Sequence, residues 1–143
     1  MQIELFLNFN GNCREALDFY SKIFKSEVHN LMTYAEAPPM SGYPVTDENK
    51  DKIMYAGIPA DGMTLMFMDL PEDMPVVAGN NITPTISVDE KDEVTRIFNG
   101  LKEGGEVVVE LQKAFFSAWY GMVKDKFGII WQILHYVPQE QNA

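Results

Sequence analysis

The side chains in this chain with the means to do chemistry are few and scattered. Cys13 opens a helical segment beside Arg14, where unpaired backbone N–H groups and a neighbouring cation favour a thiolate, and with it a nucleophile. Histidine occurs only at His29 and His135, and neither lies near Cys13 in sequence, so a Cys/His pair depends entirely on the fold. The two imidazoles, with carboxylates such as Glu27 and Asp69, are the groups from which a divalent-metal site would have to be made. Each also has a structural explanation. A lone cysteine packs well as a small apolar residue. Asp69 and Asp125 stand at strand ends, where aspartate serves turns and caps, and Glu27 and Glu106 recur at one repeat position. No Ser/His/Asp order and no nucleophile elbow occur. Gly104-Gly105 follows a helical segment, as a C-terminal cap does, whereas a phosphate cradle would precede one.

The elements that must position these groups follow from periodicity. Ile3, Leu5, Leu7 and Phe9 alternate along a strand over 2–10, with Phe6 on its other face. Asn12 is a candidate N-cap for a helix over 13–24, whose apolar face is Ala16, Leu17, Tyr20, Ile23 and Phe24. A strand over 26–34 precedes a Pro-, Gly- and charge-rich loop over 35–51, of the length expected of a mobile lid. Strands over 52–59 and 63–69 flank Asp61-Gly62, a hairpin signal. After a linker over 70–81 the order returns: strand 82–88, helix 90–102 on Val94, Ile97, Phe98 and Leu101, then strand 106–112. A connection over 113–118 leads to strand 119–124, a turn at Asp125–Gly128 and strand 129–136.

This is a duplication. Phe19 and Phe98, and Glu27-Val28 and Glu106-Val107, lie 79 residues apart, so the repeat is a whole folding unit. The expected fold is α+β: two βαβββ modules, 2–69 and 82–136, in a single domain over 1–143. Each module supplies a curved, mainly antiparallel four-stranded sheet with its helix outside, and the inner faces enclose a cleft. Hairpins argue against a parallel α/β sheet, which needs long crossovers.

Composition narrows the function. A net charge of −10 with no cluster of Lys or Arg speaks against nucleic acid. No apolar run approaches a membrane span, and the first residues lack the basic lead of a signal peptide. One cysteine excludes an intrachain disulfide and suits a cytoplasmic location.

The FNGNCREALDFY helix start, the GGEV return after the second helix and the closing YGMVKDKFGIIWQI resemble the vicinal oxygen chelate superfamily, which includes glyoxalase I, bleomycin-resistance proteins and extradiol dioxygenases. The resemblance covers residues 2–136 and is nearest to the PhnB-like group, some of whose members carry a demethylubiquinone methyltransferase-like label. It implies a homodimer and, in catalytic members, a divalent metal held in the cleft by His or Glu. Matched to that pattern, the ligand positions here are Leu5, Met66, Thr83 and Gln132, none of which is a histidine or carboxylate. Leucine offers no lone pair and a thioether is a poor ligand for a hard ion. The expected occupant is therefore a small, partly apolar molecule, bound without metal or other cofactor. Met66, Phe116 and Trp119 supply contacts and Thr83 and Gln132 hydrogen bonds. Trp131, adjacent to Gln132, falls on the opposite sheet face, under a helix. Two alternatives remain: a metal-dependent lyase, isomerase or dioxygenase with a displaced site built on His29, His135 or carboxylates, and a structural or regulatory dimer with a filled cleft.

Overall fold

The computed structural model describes residues 1–136; the last residues of the domain expected over 1–143 lie outside the described part. The chain divides into two compact units, one over Met1–Val77 and one from Ala78 onward. The first contains β1 (Leu5–Phe9), α1 (Cys13–Phe24), β2 (His29–Thr33), β3 (Ile53–Ala60) and β4 (Met63–Asp69). The second contains β5 (Thr85–Val88), α2 (Lys91–Lys102), β6 (Glu106–Ala114), β7 (Ser117–Lys124) and β8 (Ile130–His135).

Each unit folds into a four-stranded sheet of the same order, β1-β4-β3-β2 in the first and β5-β8-β7-β6 in the second. The outer pair, β1 with β4 and β5 with β8, is parallel, and every other pair is antiparallel. The connections dictate this arrangement: tight turns join β3 to β4, β6 to β7 and β7 to β8, a long loop joins β2 to β3, and the helix returns the chain so that the first strand joins the last side by side.

One face of each sheet carries the helix. In the first unit Leu7, Phe9, Ala56, Ile58, Leu65 and Phe67 are buried beneath Ala16, Leu17, Tyr20 and Ile23 of α1. In the second, Val123, Trp131 and Ile133 are buried beneath Val94, Ile97, Phe98 and Leu101. Gly121 lets α2 approach β7: a Cβ there would sit 2.7 Å from Phe98 Cε2 and 3.0 Å from Leu111 Cδ2. Both helices hand over through a left-handed residue at equivalent repeat positions, Lys25 (φ 50°) and Gly104 (φ 75°).

Several boundaries differ from the periodicity. Strand β5 begins at Thr85 rather than 82 because Pro84 has no N–H to donate to the ladder, although its carbonyl accepts from Gln132 N–H (2.9 Å). The connection expected over 113–118 shrinks to Phe115-Phe116, since Ala114 and Ser117 pair directly across the β6–β7 hairpin. The lid-like loop is hydrogen-bonded within itself. Thr46 N–H donates to Asn49 Oδ1 (2.7 Å), Asn49 Nδ2 donates to the Pro44 carbonyl (2.8 Å), and Tyr34 N–H donates to the Lys52 carbonyl (3.0 Å).

Candidate functional site

Cys13, Asp69 and Asp125 are buried among the groups that hold the fold together. Cys13 is fully buried, and burial pushes its thiol pKa upward, with Asp69 adding to the rise and Arg14 opposing it, so the thiolate is suppressed. The cap expected of Asn12 is supplied by Asp69: its Oδ1 accepts from Gly11 N–H (2.8 Å) and Cys13 N–H (3.0 Å), and its Oδ2 from Ile53 N–H (3.0 Å). The Asp69 backbone carbonyl also accepts from the Tyr34 hydroxyl (2.6 Å). Asp69 thus ties the start of α1 and the start of β3 to the end of β4. Asp125 has the turn role expected of it, accepting from Phe127 and Ile129 N–H and from Trp131 Nε1 (2.8 Å). Trp131 lies under α2, as its position next to Gln132 predicts.

His29 is exposed on β2, while His135 ends β8 with Nε2 2.9 Å from the Asp89 carbonyl. Among the described residues no group of three or more His, Cys, Asp or Glu side chains converges as a metal site. The positions implied by the superfamily pattern carry Leu, Met, Thr and Gln, a donor set that does not fit a hard divalent ion.

The helix-free faces are chemically distinct. In the first unit the parallel register sets Phe6 beside Met66, and Met66 beside Gly57. Leu5 pairs with Leu65 on the helix-bearing side, so Phe6, not Leu5, is the β1 residue flanking Met66. Phe6 meets Tyr55 edge to face, with ring centroids 6.0 Å apart. The result is an apolar wall of Phe6, Tyr55 and Met66, part of it open to solvent.

In the second unit the same register sets Thr85, not Thr83, beside Gln132, and Gln132 beside Met122. Gln132 Nε2 donates to Thr85 Oγ1 (3.2 Å), and the Tyr120 hydroxyl donates to Gln132 Oε1 (2.7 Å). Thr83 contributes its carbonyl, which accepts from Thr85 Oγ1 (3.4 Å). Burial raises the Tyr120 pKa, which keeps the phenol protonated as a donor. Phe116 stands edge-on to Tyr120 (5.2 Å). Trp119 leaves this group: strand alternation turns it to the helix-bearing side, where Nε1 donates to Thr95 Oγ1 (3.0 Å) and Lys91 Nζ lies 4.5 Å above its ring.

Thus the second sheet gathers Phe116 and Gln132 with Thr85 and Tyr120, two residues not picked out from sequence. The signals existed. Thr85 lies 79 residues after Phe6, and Tyr120 sits two residues before Met122, the strand partner of Gln132, so alternation places it on the Gln132 face.

This sheet pair, with its parallel outer strands, defines the glyoxalase/bleomycin resistance/dioxygenase fold. A family enzyme of that description from Burkholderia phytofirmans PsJN superposes with a TM-score of 0.60 at 11% identity, covering 92% of this chain and 97% of that one. More narrowly, the family model described as 3-demethylubiquinone-9 3-methyltransferase matches residues 1–134, and the chain belongs to that family, the PhnB-like group. Protein PA1353 from Pseudomonas aeruginosa is 32% identical with a TM-score of 0.82, over 94% of this chain and 97% of that one. Protein YjdN of Escherichia coli strain K12 is 26% identical over 93% of this chain and 94% of its own length.

Proposed function

We propose that this protein binds a small, partly apolar molecule against the helix-free faces of its sheets, without a resident metal ion. The observation that carries the reading is the hydrogen-bond chain from Tyr120 through Gln132 to Thr85, set on a sheet face whose other side is the filled core. Polar side chains linked in this way, beside Met122 and Phe116, are the mixture that small-molecule sites use: apolar surface for affinity and a few polar atoms for orientation.

The test is a thermal-shift screen of small aromatic and alicyclic compounds, combined with metal analysis of the purified protein. A ligand at one hundred times its dissociation constant stabilises by about 2.7 kcal/mol, well within detection. Stabilising hits at no more than trace metal support the proposal. Stoichiometric zinc, nickel, manganese or iron that is lost together with activity when His29 or His135 is replaced would overturn it in favour of a metal-dependent enzyme.

A further inference from the structure

The hydrogen-bond chain on the second sheet has a direction, and the direction selects a ligand chemistry. The Tyr120–Gln132 separation of 2.7 Å is that of an O–H···O bond, whereas the Gln132–Thr85 separation of 3.2 Å suits N–H···O. This orients the amide with Oε1 toward Tyr120 and Nε2 toward Thr85. The run ends on a backbone acceptor, the Thr83 carbonyl. With each proton assigned, one donor is left over, the second N–H of Gln132, while acceptor lone pairs remain on the Tyr120 oxygen, on Gln132 Oε1 and on Thr85 Oγ1.

We infer that Gln132 and Tyr120 together read a neutral polar group that carries an acceptor beside a donor, such as a carboxamide or a lactam edge, on a planar apolar ligand. The inference rests on the ligand-binding reading above and specifies it. A carboxylate offers only acceptors and would set its lone pairs against those of Tyr120. An ammonium offers only donors and leaves the Gln132 N–H facing a cation. The chain's net charge of −10 adds a general bias against anions. Lys124, which pairs with Ile130 on the same face, is the cation of β7 and β8 that would have to reverse this choice.

The test compares 2-naphthamide, 2-naphthoate and 2-methylnaphthalene, which share one ring system, by titration calorimetry on the full chain. 2-Naphthamide should bind the parent protein roughly tenfold or more tighter than either analogue, since a buried donor or acceptor left unmatched is costly. Gln132→Leu should erase that preference while 2-methylnaphthalene binding is kept. Gln132→Glu, which preserves size and removes the N–H, should do the same to 2-naphthamide if the leucine variant fails to fold. Equal or tighter binding of 2-naphthoate overturns the inference and leaves the ligand-binding reading standing, with Lys124 as the recognising group. Equal binding of 2-methylnaphthalene also overturns it, because the hydrogen-bond chain then reads nothing. No binding by any of the three overturns it as well, and the fate of the broader reading is then decided by the thermal-shift screen.

Discussion

The two halves of this molecule began as one plan and differ where they face away from their helices. At equivalent register positions the first unit has Phe6 beside Met66 and the second has Thr85 beside Gln132. Beneath the helices the plan is kept: aliphatic and aromatic side chains fill both cores, and the same strand order recurs. A core position must match the volume of its neighbours, so duplication preserves its character. A helix-free position carries no such demand, and one wall became apolar while the other became polar. The divergence falls on the faces against which ligand binding is proposed.

The buried carboxylates show a second contrast. In the first unit Asp69 joins segments 58, 56 and 16 residues away, through Gly11, Cys13 and Ile53. His135 holds the equivalent place in the second unit, as Val88 pairs with His135 where Phe9 pairs with Asp69. There the buried carboxylate is Asp125, whose partners Phe127, Ile129 and Trp131 lie only 2, 4 and 6 residues ahead. One unit is pinned by a long-range clasp and the other by a local turn.

Breaking the clasp should have the largest effect. Asp69→Ala leaves three backbone donors without their acceptor and should cost about 3–4 kcal/mol in denaturant unfolding. Asp125→Ala should cost about 2–3 kcal/mol, because water can reach turn N–H groups more readily. Equal losses, or a larger loss at Asp125, would contradict the contrast between long-range and local pinning.

Glycine substitutions test the two faces. Gly121→Ala drives a methyl group into Phe98 under α2 and should cost about 1–3 kcal/mol, read as a shift in the denaturant midpoint. Gly57→Ala, on a helix-free face, meets Thr64 Cγ2 at 3.1 Å, a side chain that can turn away, with ordinary contacts to Tyr55 Oη (3.5 Å) and the His29 carbonyl (3.8 Å), and should cost under about 1 kcal/mol.

A smaller, pH-dependent effect belongs to the first unit. Burial, reinforced by Asp69, raises the Tyr34 pKa from its ordinary 10.0 to about 12. The fold favours the protonated phenol, so its contribution is whole below pH 10.0 and is lost as pH rises toward about 12. Urea midpoints measured up that range should fall, and Tyr34→Phe should flatten the slope. An unchanged slope in the variant would assign the alkaline loss to other groups.

Much of this was legible in the chain itself. Helix α1 occupies the 13–24 its periodicity predicts and β4 the expected 63–69, because amphipathic spacing and the Asp61-Gly62 turn are local signals. The family resemblance also held. Less legible was whatever depended on register between distant strands. A shift of one residue separates Leu5 from Phe6 and turns the side chain to the other face, and two residues separate Thr83 from Thr85. Trp119 falls on the α2 side because the hairpin is two residues at its tip, which fixes the alternation of β7. Asp69 as a cap for α1 is invisible to local reading, since its partners lie far away in sequence.

The central claim is that the helix-free face of the second sheet, and not the filled core, meets the ligand. Nuclear magnetic resonance of protein labelled uniformly with nitrogen-15 and at methionine methyls, titrated with 2-naphthamide, tests it most directly. The predicted result is saturable shifts at Met122 and the Gln132 side-chain amide, with the backbone amides of Ile97 and Phe98 unmoved. Shifts confined to α1 and α2, with Met122 and Gln132 silent, would contradict it.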